Sequence, residues 1–400
     1  MEYVFGIDVS KTTSNVAILI ENSLVKEFKI NNNAEGFRTL EDQLQEAHDP
    51  LIIFEATGIY SNRLENFLQQ MNHRYTRINP LRAKKDMDSF RHNKTDSLDA
   101  IGLARAMAMH HYNPTELESP VYSELHDLER FYQEQNEDIV KEKNRLHKTI
   151  SITFPEMETL LSKTDGDLYW NLVQQFPSAQ SVLKYDFSQL SGIILKSTYK
   201  TIGLAMSQRI ASRLIDLANE SFPMANIACI TKETRYHAHQ IQIIAHRKAE
   251  LITQMSELSK DLPEIRILTS IPGIGIKTAV CLTAELGDIR RFYSSNAINA
   301  FVGIDLTHYQ SGNYTADVNI RKRGNSYARK ILYKAVLNII GASRFTPTNI
   351  SLTYKAKKQS SGSKGTKKIV MSAINKLIRL IYHLVLNNEM YDTKMFSAEH

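Results

Sequence analysis

Tyr3-Val4-Phe5-Gly6-Ile7-Asp8-Val9-Ser10-Lys11 is the stretch whose reading decides the fold. Apolar, aromatic and β-branched residues run up to one carboxylate and stop, as in a buried strand. A second such run follows at once, Ser14 to Ile20, and a third from Leu24 to Ile30. Three short strands in series predict an antiparallel meander that starts a sheet. Asp8 then lies on a central strand. A buried carboxylate without a partner is costly, so it pairs, holds a metal, or caps the turn that follows.

Outward from there, Phe37, Leu40 and Leu44 give residues 34–47 helical spacing. Pro50 precedes a wholly apolar strand, Leu51-Ile52-Ile53-Phe54, that ends in Glu55. Ala56-Thr57-Gly58 turns into a helix over about 59–71, and a short strand follows near 74–78. A basic segment carries Arg82, Lys84, Lys85, Arg91 and Lys94. Thr95 then caps a helix that reaches to about 110. Antiparallel strands followed by strand–helix alternation predict a mixed sheet flanked by helices. Asp96 and Asp99, three apart, share one face of a helix start; pairing with the helix dipole is the plainer reason for acids there. Together, Asp8, Glu55, Asp96 and Asp99 bring four carboxylates from three segments to one sheet edge. Hard divalent cations take such oxygen ligands, and Mg²⁺ combines few carboxylates with phosphate oxygens. Two such ions serve phosphoryl transfer.

The chain has 400 residues, enough for two or three domains, and 42% are hydrophobic, which excludes global disorder. The formal net charge of +6 favours nucleic acid or an anionic surface as partner. Cys229 and Cys281 stand far apart, against a disulfide framework or a zinc site. The opening MEYVFGID is not a signal peptide, and no apolar run approaches ~18 residues, so no membrane span is expected. A cytoplasmic protein is the expectation.

Three motifs carry a resemblance: Gly-Ile-Asp-Val-Ser-Lys at 6–11, Phe-Glu-Ala-Thr-Gly at 54–58 and Lys-Thr-Asp-Ser-Leu-Asp-Ala at 94–100. In this order and spacing the chain resembles the DEDD transposases and DNA invertases of the Piv/MooV type, the IS one-ten family of insertion-sequence transposases. The resemblance implies an α/β RNase H-like (RuvC-like) catalytic domain over 1–112. It also implies that Asp8, Glu55, Asp96 and Asp99 form an acidic tetrad that binds Mg²⁺ or Mn²⁺, with Lys94 against nucleic acid.

Residues 113–265 read as a helical, coiled-coil region. Leu125, Leu128, Tyr132, Ile139 and Leu146 follow heptad spacing on a charged helix of about 120–151, and Ile241, Ile244, Leu251, Met255 and Leu258 repeat the pattern over 232–260. The two are arms of an antiparallel hairpin or partner helices between protomers. The stretch 156–231 between them, with Trp170, is an insertion relative to the usual family pattern and reads as a helical spacer.

Residues 266–390 form a mainly α C-terminal domain. Pro272-Gly273-Ile274-Gly275 enters a helix and resembles the turn of helix-hairpin-helix DNA-binding modules. Gly273 and Gly275 let a backbone approach, the helix start offers N–H groups to phosphate, and Lys277 and Thr278 add contacts; a ligand-free turn is the alternative. Ser311-Gly312 matches the family's serine motif, which implies that Ser311 is the recombination nucleophile. Arg321, Lys322, Arg323 and Asn325 follow, suited to holding a phosphate; Tyr309 and Tyr314 are rival hydroxyls. Lys355, Lys357, Lys358, Lys364, Lys367 and Lys368 sit in a Ser/Gly-rich stretch that reads as a flexible loop, before a helix over 369–387 and a frayed tail at 391–400.

The resulting expectation is a DNA recombinase that breaks and rejoins strands with a metal-dependent N-terminal domain and a serine. The alternatives are a site-specific invertase that reads DNA directly, or a RuvC-like nuclease that uses water. The basic residues at 82–94, 321–330 and 355–368 are read as loops that grip backbones, and no groove-reading helix stands out. Resemblance adds a noncoding guide RNA as partner. Holding several strand breaks together implies a homo-oligomer, a dimer or tetramer, at the bacterial nucleoid.

Overall fold

The computed structural model describes all residues except 1, 88–95, 116–118, 198–201, 223–227, 308–309, 312–313, 316–318, 321–322, 361–364 and 393–400. The chain divides into two compact units, Met1–Leu117 and Glu118–His400.

The first unit is built on a five-stranded mixed sheet. Its strands are β1 (Tyr3–Val9), β2 (Thr13–Ile20), β3 (Ser23–Asn31), β4 (Leu51–Glu55) and β5 (Thr76–Ile78), in the order β3-β2-β1-β4-β5. The first three pair antiparallel, as their spacing predicts, and β4 and β5 join parallel to β1. Glu21 and Asn22 both take positive φ between β2 and β3, the two-residue turn that suits strand twist. Phe5, Ile7, Ile52 and Phe54 point to one face and pack on α1 (Ala34–Gln45) and α2 (Ser61–Gln70) through Leu40, Leu44, Leu64 and Leu68. Val4, Ile53 and Ile78 point to the other, against α3 (Pro80–Met87) and α4 (Asp96–His110). Because both faces are covered, β1 and β4 carry apolar residues at nearly every position. β3, at the edge, exposes Lys26, Glu27 and Lys29, charges that discourage further pairing.

Helix α4 lies directly on β1. A Cβ at Gly6 would come within 2.2 Å of the Ala100 carbonyl oxygen and 2.5 Å of the Ala104 nitrogen. Only glycine permits that approach. At the other end of the pair, His111 Nδ1 lies 3.8 Å from Glu2 Oε1. Helix and strand therefore run in opposite directions, and the start of α4 lies at the end of β1.

The second unit is mainly helical. α5 (Pro120–Thr153) and α10 (Ala228–Leu258) form an antiparallel hairpin within the chain. The seam runs from Gln135–Arg247 through Glu142–His237 to Thr153–Thr234, which decides between hairpin arms and partners from different protomers in favour of the first. Between the arms lie α6 (Asp167–Gln175), α7 (Ala179–Val182), α8 (Phe187–Lys196) and α9 (Leu204–Glu220). These are not a bare spacer: Trp170, Val173, Phe176, Ile194 and Leu214 share a core with Ile150 and Phe154 of the hairpin.

The other end of the hairpin, through Leu125, Tyr132, Leu251 and Met255, joins a second core. That core contains α11 (Pro263–Thr269), α12 (Ile276–Leu286), α13 (Ser295–Val302), α14 (Ser326–Ala342), α15 (Asn349–Ser360) and α16 (Thr366–Asn387). Between α13 and α14 lie four two-residue strands, β6 (Leu306–Thr307), β7 (Gln310–Ser311), β8 (Tyr314–Thr315) and β9 (Asn319–Ile320), which pair β6–β9 and β7–β8.

Several expectations need correction. The basic residues expected on loops lie on helices: Lys84 and Lys85 on α3, Arg329 and Lys330 on α14, Lys355, Lys357 and Lys358 on α15. Helix formation at α3 and α15 follows from apolar residues four apart, Ala83 with Met87 and Ile350 with Tyr354, all buried. Lys367 and Lys368, expected in the same loop, lie in the first turn of α16, and Lys364 lies outside the described residues. α16 is long and apolar enough to cross a bilayer despite its basic residues. Its apolar side, from Ile369 to Val385, is packed in the second core, so core packing accounts for its composition. The tail does not fray at once: Tyr391 N donates to Ser270 Oγ at 2.8 Å.

Candidate active site

The acidic edge is assembled by strand alternation. Gly6 and Asp8 share the face of β1 that carries α4; Ile53 and Glu55 share the same face of β4. The parallel register pairs Gly6 with Ile53 and Ile7 with Phe54. Asp8 and Glu55 therefore follow as neighbours at the ends of adjacent strands, each half-buried. α4 begins over this end, with Asp99 one residue before the Ala100 that covers Gly6. Asp96 is the first residue of α4; its backbone alone is described. The turns beyond the two strands are fixed. Ser10 N and Oγ both donate to Thr13 O, at 2.9 and 2.7 Å, and Asn32 Nδ2 donates to Ser10 O at 2.8 Å. Ala56 N donates to Ile78 O at 3.0 Å. Sheet and helix thus gather Asp8, Glu55 and Asp99 toward one end. Among the described residues no three acid, histidine or cysteine groups close to metal-binding distance, a set to which the Asp96 side chain does not belong.

The glycine turn between α11 and α12 splits its two glycines by task. Gly273 has φ +94°, and a Cβ there would meet the Ile339 backbone of α14 at 2.7 Å. Its smallness serves packing. Gly275 is open, with nothing within 4 Å of where a Cβ would stand, and α12 starts after it without a side-chain cap. Lys277, in the first turn, is exposed and reaches the Tyr132 ring of α5, with Nζ 5.1 Å from its centroid; Lys248 of α10 reaches the same ring at 5.7 Å. Burial, then the nearby Lys277 charge, lowers the pKa of Lys248. Thr278 is half-buried behind them.

Ser311 lies in β7 and pairs with Tyr314 of β8; its backbone alone is described. Lys94, Tyr309, Arg321 and Lys322 lie outside the described residues. Arg323 is exposed. The segment carrying Ser311 is pinned where it leaves α13 and enters α14. Asn325 N donates to Phe301 O at 2.8 Å, and Arg329 Nη1 donates to Val302 O at 2.6 Å. Gly324, at φ +144°, leaves no room for a Cβ, which would lie 2.4 Å from Phe301 O. The Asn325 side chain caps α14, accepting from Ala328 N at 2.9 Å. Its place is structural as well as basic-loop-adjacent, because its amide also donates to buried Glu285.

That contact leads to residues the sequence motifs do not contain. Glu129 and Arg130 of α5 and Glu285 of α12 meet below Asn325. Glu129 and Glu285 are 0% and 2% exposed. Arg130 Nη2 bonds Glu285 Oε2 at 2.9 Å and stacks its guanidinium on Tyr327 at 4.1 Å. Burial, then a hydrogen bond to the Glu285 carboxyl, pushes Glu129 up to about 8. One carboxyl of the pair therefore keeps its proton at neutral pH. The signal in the sequence is polar residues at four-residue spacing, Glu129 with Gln133, on a helix otherwise read for its apolar seam.

Comparison with known proteins bears on both units. Residues 5–155 match the profile of a family described as Transposase, of the DEDD type of IS110. Residues 265–349 match that described as Transposase IS116/IS110/IS902 family. The insertion element IS110 uncharacterized 43.6 kDa protein of Streptomyces coelicolor is 21% identical over 307 residues, 76% of this chain and 73% of that one. The pilin gene-inverting protein of Moraxella bovis is 22% identical over 401 residues, 98% of each chain. The transposase for insertion sequence element IS1111A of Coxiella burnetii is 28% identical over 138 residues, 34% of this chain and 37% of that one.

Proposed function

Because this chain belongs to the IS110 family of transposases, and is an enzyme of DNA recombination, we propose that it breaks and rejoins DNA through a serine. The observation that carries the reading is the gathering of Asp8, Glu55 and the start of α4 at one sheet end. In this reading the first unit is a RuvC-like, RNase H-type domain, and α11, the glycine turn and α12 act as a helix-hairpin-helix phosphate grip.

The donor set at the sheet end is all oxygen, half-exposed and placed at strand termini, which fits a hard divalent cation. Asp8, Glu55, Asp96 and Asp99 would hold Mg²⁺ or Mn²⁺, which supplies Lewis-acid charge beside a phosphate oxygen. Ser311 Oγ attacks phosphorus and gives up its proton as the P–O bond to one DNA fragment breaks. That fragment leaves with a hydroxyl, and the other stays esterified to the serine. One phosphoester replaces another, so rejoining needs no external energy source. Arg321, Lys322 and Arg323 neutralise the phosphate during this exchange. Lys94, Gly275, Lys277 and Thr278 hold backbone, with Gly273 and Asn325 supporting them. Backbone contacts carry no sequence information, and base pairing to a guide can supply it, so the finer proposal is a noncoding guide RNA as partner, and a dimer or tetramer that holds the ends together. The end-to-end match to the pilin gene-inverting protein favours a second version, inversion of a fixed segment.

The test is recombination of the flanking DNA by protein purified from its host, with and without RNase treatment. Denaturing gels and peptide mass mapping follow the cut strand. A covalent adduct on Ser311 is expected, and activity lost to RNase should return with one flanking transcript. An adduct on Tyr314, or free ends alone, overturns the serine step; an untreated rate after RNase overturns the guide.

A further inference from the structure

Glu129 and Glu285 form a buried carboxyl pair that the cleavage reaction does not use directly. Glu285 Oε2 accepts from Arg130 Nη2 at 2.9 Å and from Asn325 Nδ2 at 2.5 Å. Glu129 Oε1 accepts from Gln133 Nε2. The remaining oxygens, Glu129 Oε2 and Glu285 Oε1, are buried with no hydrogen-bond partner among the described residues, and Glu285 lies close enough to Glu129 to raise its pKa. Two bare carboxylates at that distance would repel in a medium of low polarity. One proton between them removes the conflict and satisfies both orphaned oxygens at once.

What the pair holds is the base of the serine segment. Asn325 is the knot: its backbone N–H closes on Phe301 at the end of α13, its side-chain oxygen starts α14, and its side-chain amide ends on Glu285. Arg130 adds a second tie, from Glu285 to the Tyr327 ring in the first turn of α14. The Arg130 cation bonds Glu285, whereas Glu129 is bonded by the neutral Gln133 amide and is the member whose pKa is raised, so the proton belongs on Glu129. Of the other titratable groups, Cys281 of α12 faces both carboxyls, and Lys277 of α12 and Lys334 of α14 act on Cys281 in turn.

We infer that Glu285 is a positioning residue for the serine segment: it fixes Asn325, and thereby both ends of that segment, with Glu129 in its neutral form as its hydrogen-bond donor. The role rests on Ser311 as nucleophile. The pair also ties the segment to α5, so the hairpin helix and the cleaving loop share one buried joint. Raising the pH removes the shared proton, sets two carboxylates against each other and loosens the joint.

The test uses the full-length protein and its own DNA sites. Adduct formation on DNA is measured from pH 7 to 9, with hydrogen exchange of residues 304–325 measured in parallel. Wild type should lose about tenfold in rate across that range as the shared proton leaves. Glu129→Gln, which keeps a donor without a titrating proton, should flatten the fall. Glu285→Gln keeps an acceptor oxygen but loses the charge that holds the Arg130 guanidinium, and should slow cleavage at least about tenfold at pH 7, with faster exchange at 304–325. The exchange measurement is repeated with Ser311→Ala. Continued adduct formation by Ser311→Ala would defeat the serine reading alone, while faster exchange in Glu285→Gln/Ser311→Ala would still support the joint. Unchanged exchange in Glu285→Gln, or parallel pH profiles for wild type and Glu129→Gln, overturns the inference. Should Glu285→Gln not fold, the Glu129→Gln profile decides.

Discussion

The acidic edge and the serine segment place their groups in opposite ways. Asp8 and Glu55 stand at the ends of adjacent parallel strands, and the cores on both faces of the sheet fix which way they point. The serine lies on one of four two-residue strands between α13 and α14. It has no comparable sheet of its own among the described residues, and its base is set by ties at Phe301, Val302, Gly324 and Asn325. One site is positioned from beneath, the other from its two ends. Chemistry can therefore be removed from the first with little loss of fold, whereas the second depends on buried groups that never meet a substrate.

The largest effects should come from the groups proposed to carry the reaction. Glu55→Gln and Ser311→Ala should each lower recombination on the order of 10³-fold or more, as when an essential group of a catalytic unit is lost. They should differ in what survives. Ser311→Ala keeps any thermal stabilisation by Mg²⁺ or Mn²⁺, and Glu55→Gln loses most of it. Identical metal responses, read by thermal unfolding with and without the ion, would erase the contrast between the sites.

Next in size is Gly6→Ala. Its methyl group meets the backbone of α4, which cannot yield as a side-chain tip would. Overpacking of this kind costs about 1–3 kcal/mol, and here it also lifts the acidic start of α4 from Asp8. Denaturant unfolding should show that loss; a change below about 0.5 kcal/mol would mean that α4 does not rest on β1 as described.

The smallest effect is one of pH. Glu129 is raised in the fold from 4.5 to about 8, so the folded state binds the extra proton between those values. Stability from this group is whole below about 4.5 and falls as pH rises through 8. Glu129→Gln should match wild type in thermal midpoint at pH 4 and exceed it at pH 8. A constant difference across the range would place the proton elsewhere.

Much of the first unit was legible because strands announce themselves by composition, and Asp8 and Glu55 end theirs. Helix α3 was hidden by Arg82, Lys84 and Lys85, which made a basic surface look like a loop while Ala83 and Met87 packed beneath. α15 was hidden in the same way, by lysines and the serines after them. The acidic placement could be read from order and spacing; the Glu129–Glu285 joint could not. A glutamate on a long charged helix reads as solvated, and only the fold shows that α12 and α14 close over it. Likewise Gly273 read as an approach for a ligand, when the backbone approaching it is that of Ile339.

The hairpin of α5 and α10 has one more consequence. It joins two cores, one below the serine segment and one around Trp170. From Glu129 to Phe154 along α5 the rise is about 38 Å at 1.5 Å per residue, close to the roughly 34–36 Å of one turn of B-form duplex. The arm thus sets a fixed spacing between the lobe around Trp170 and the core that carries the base of the serine segment.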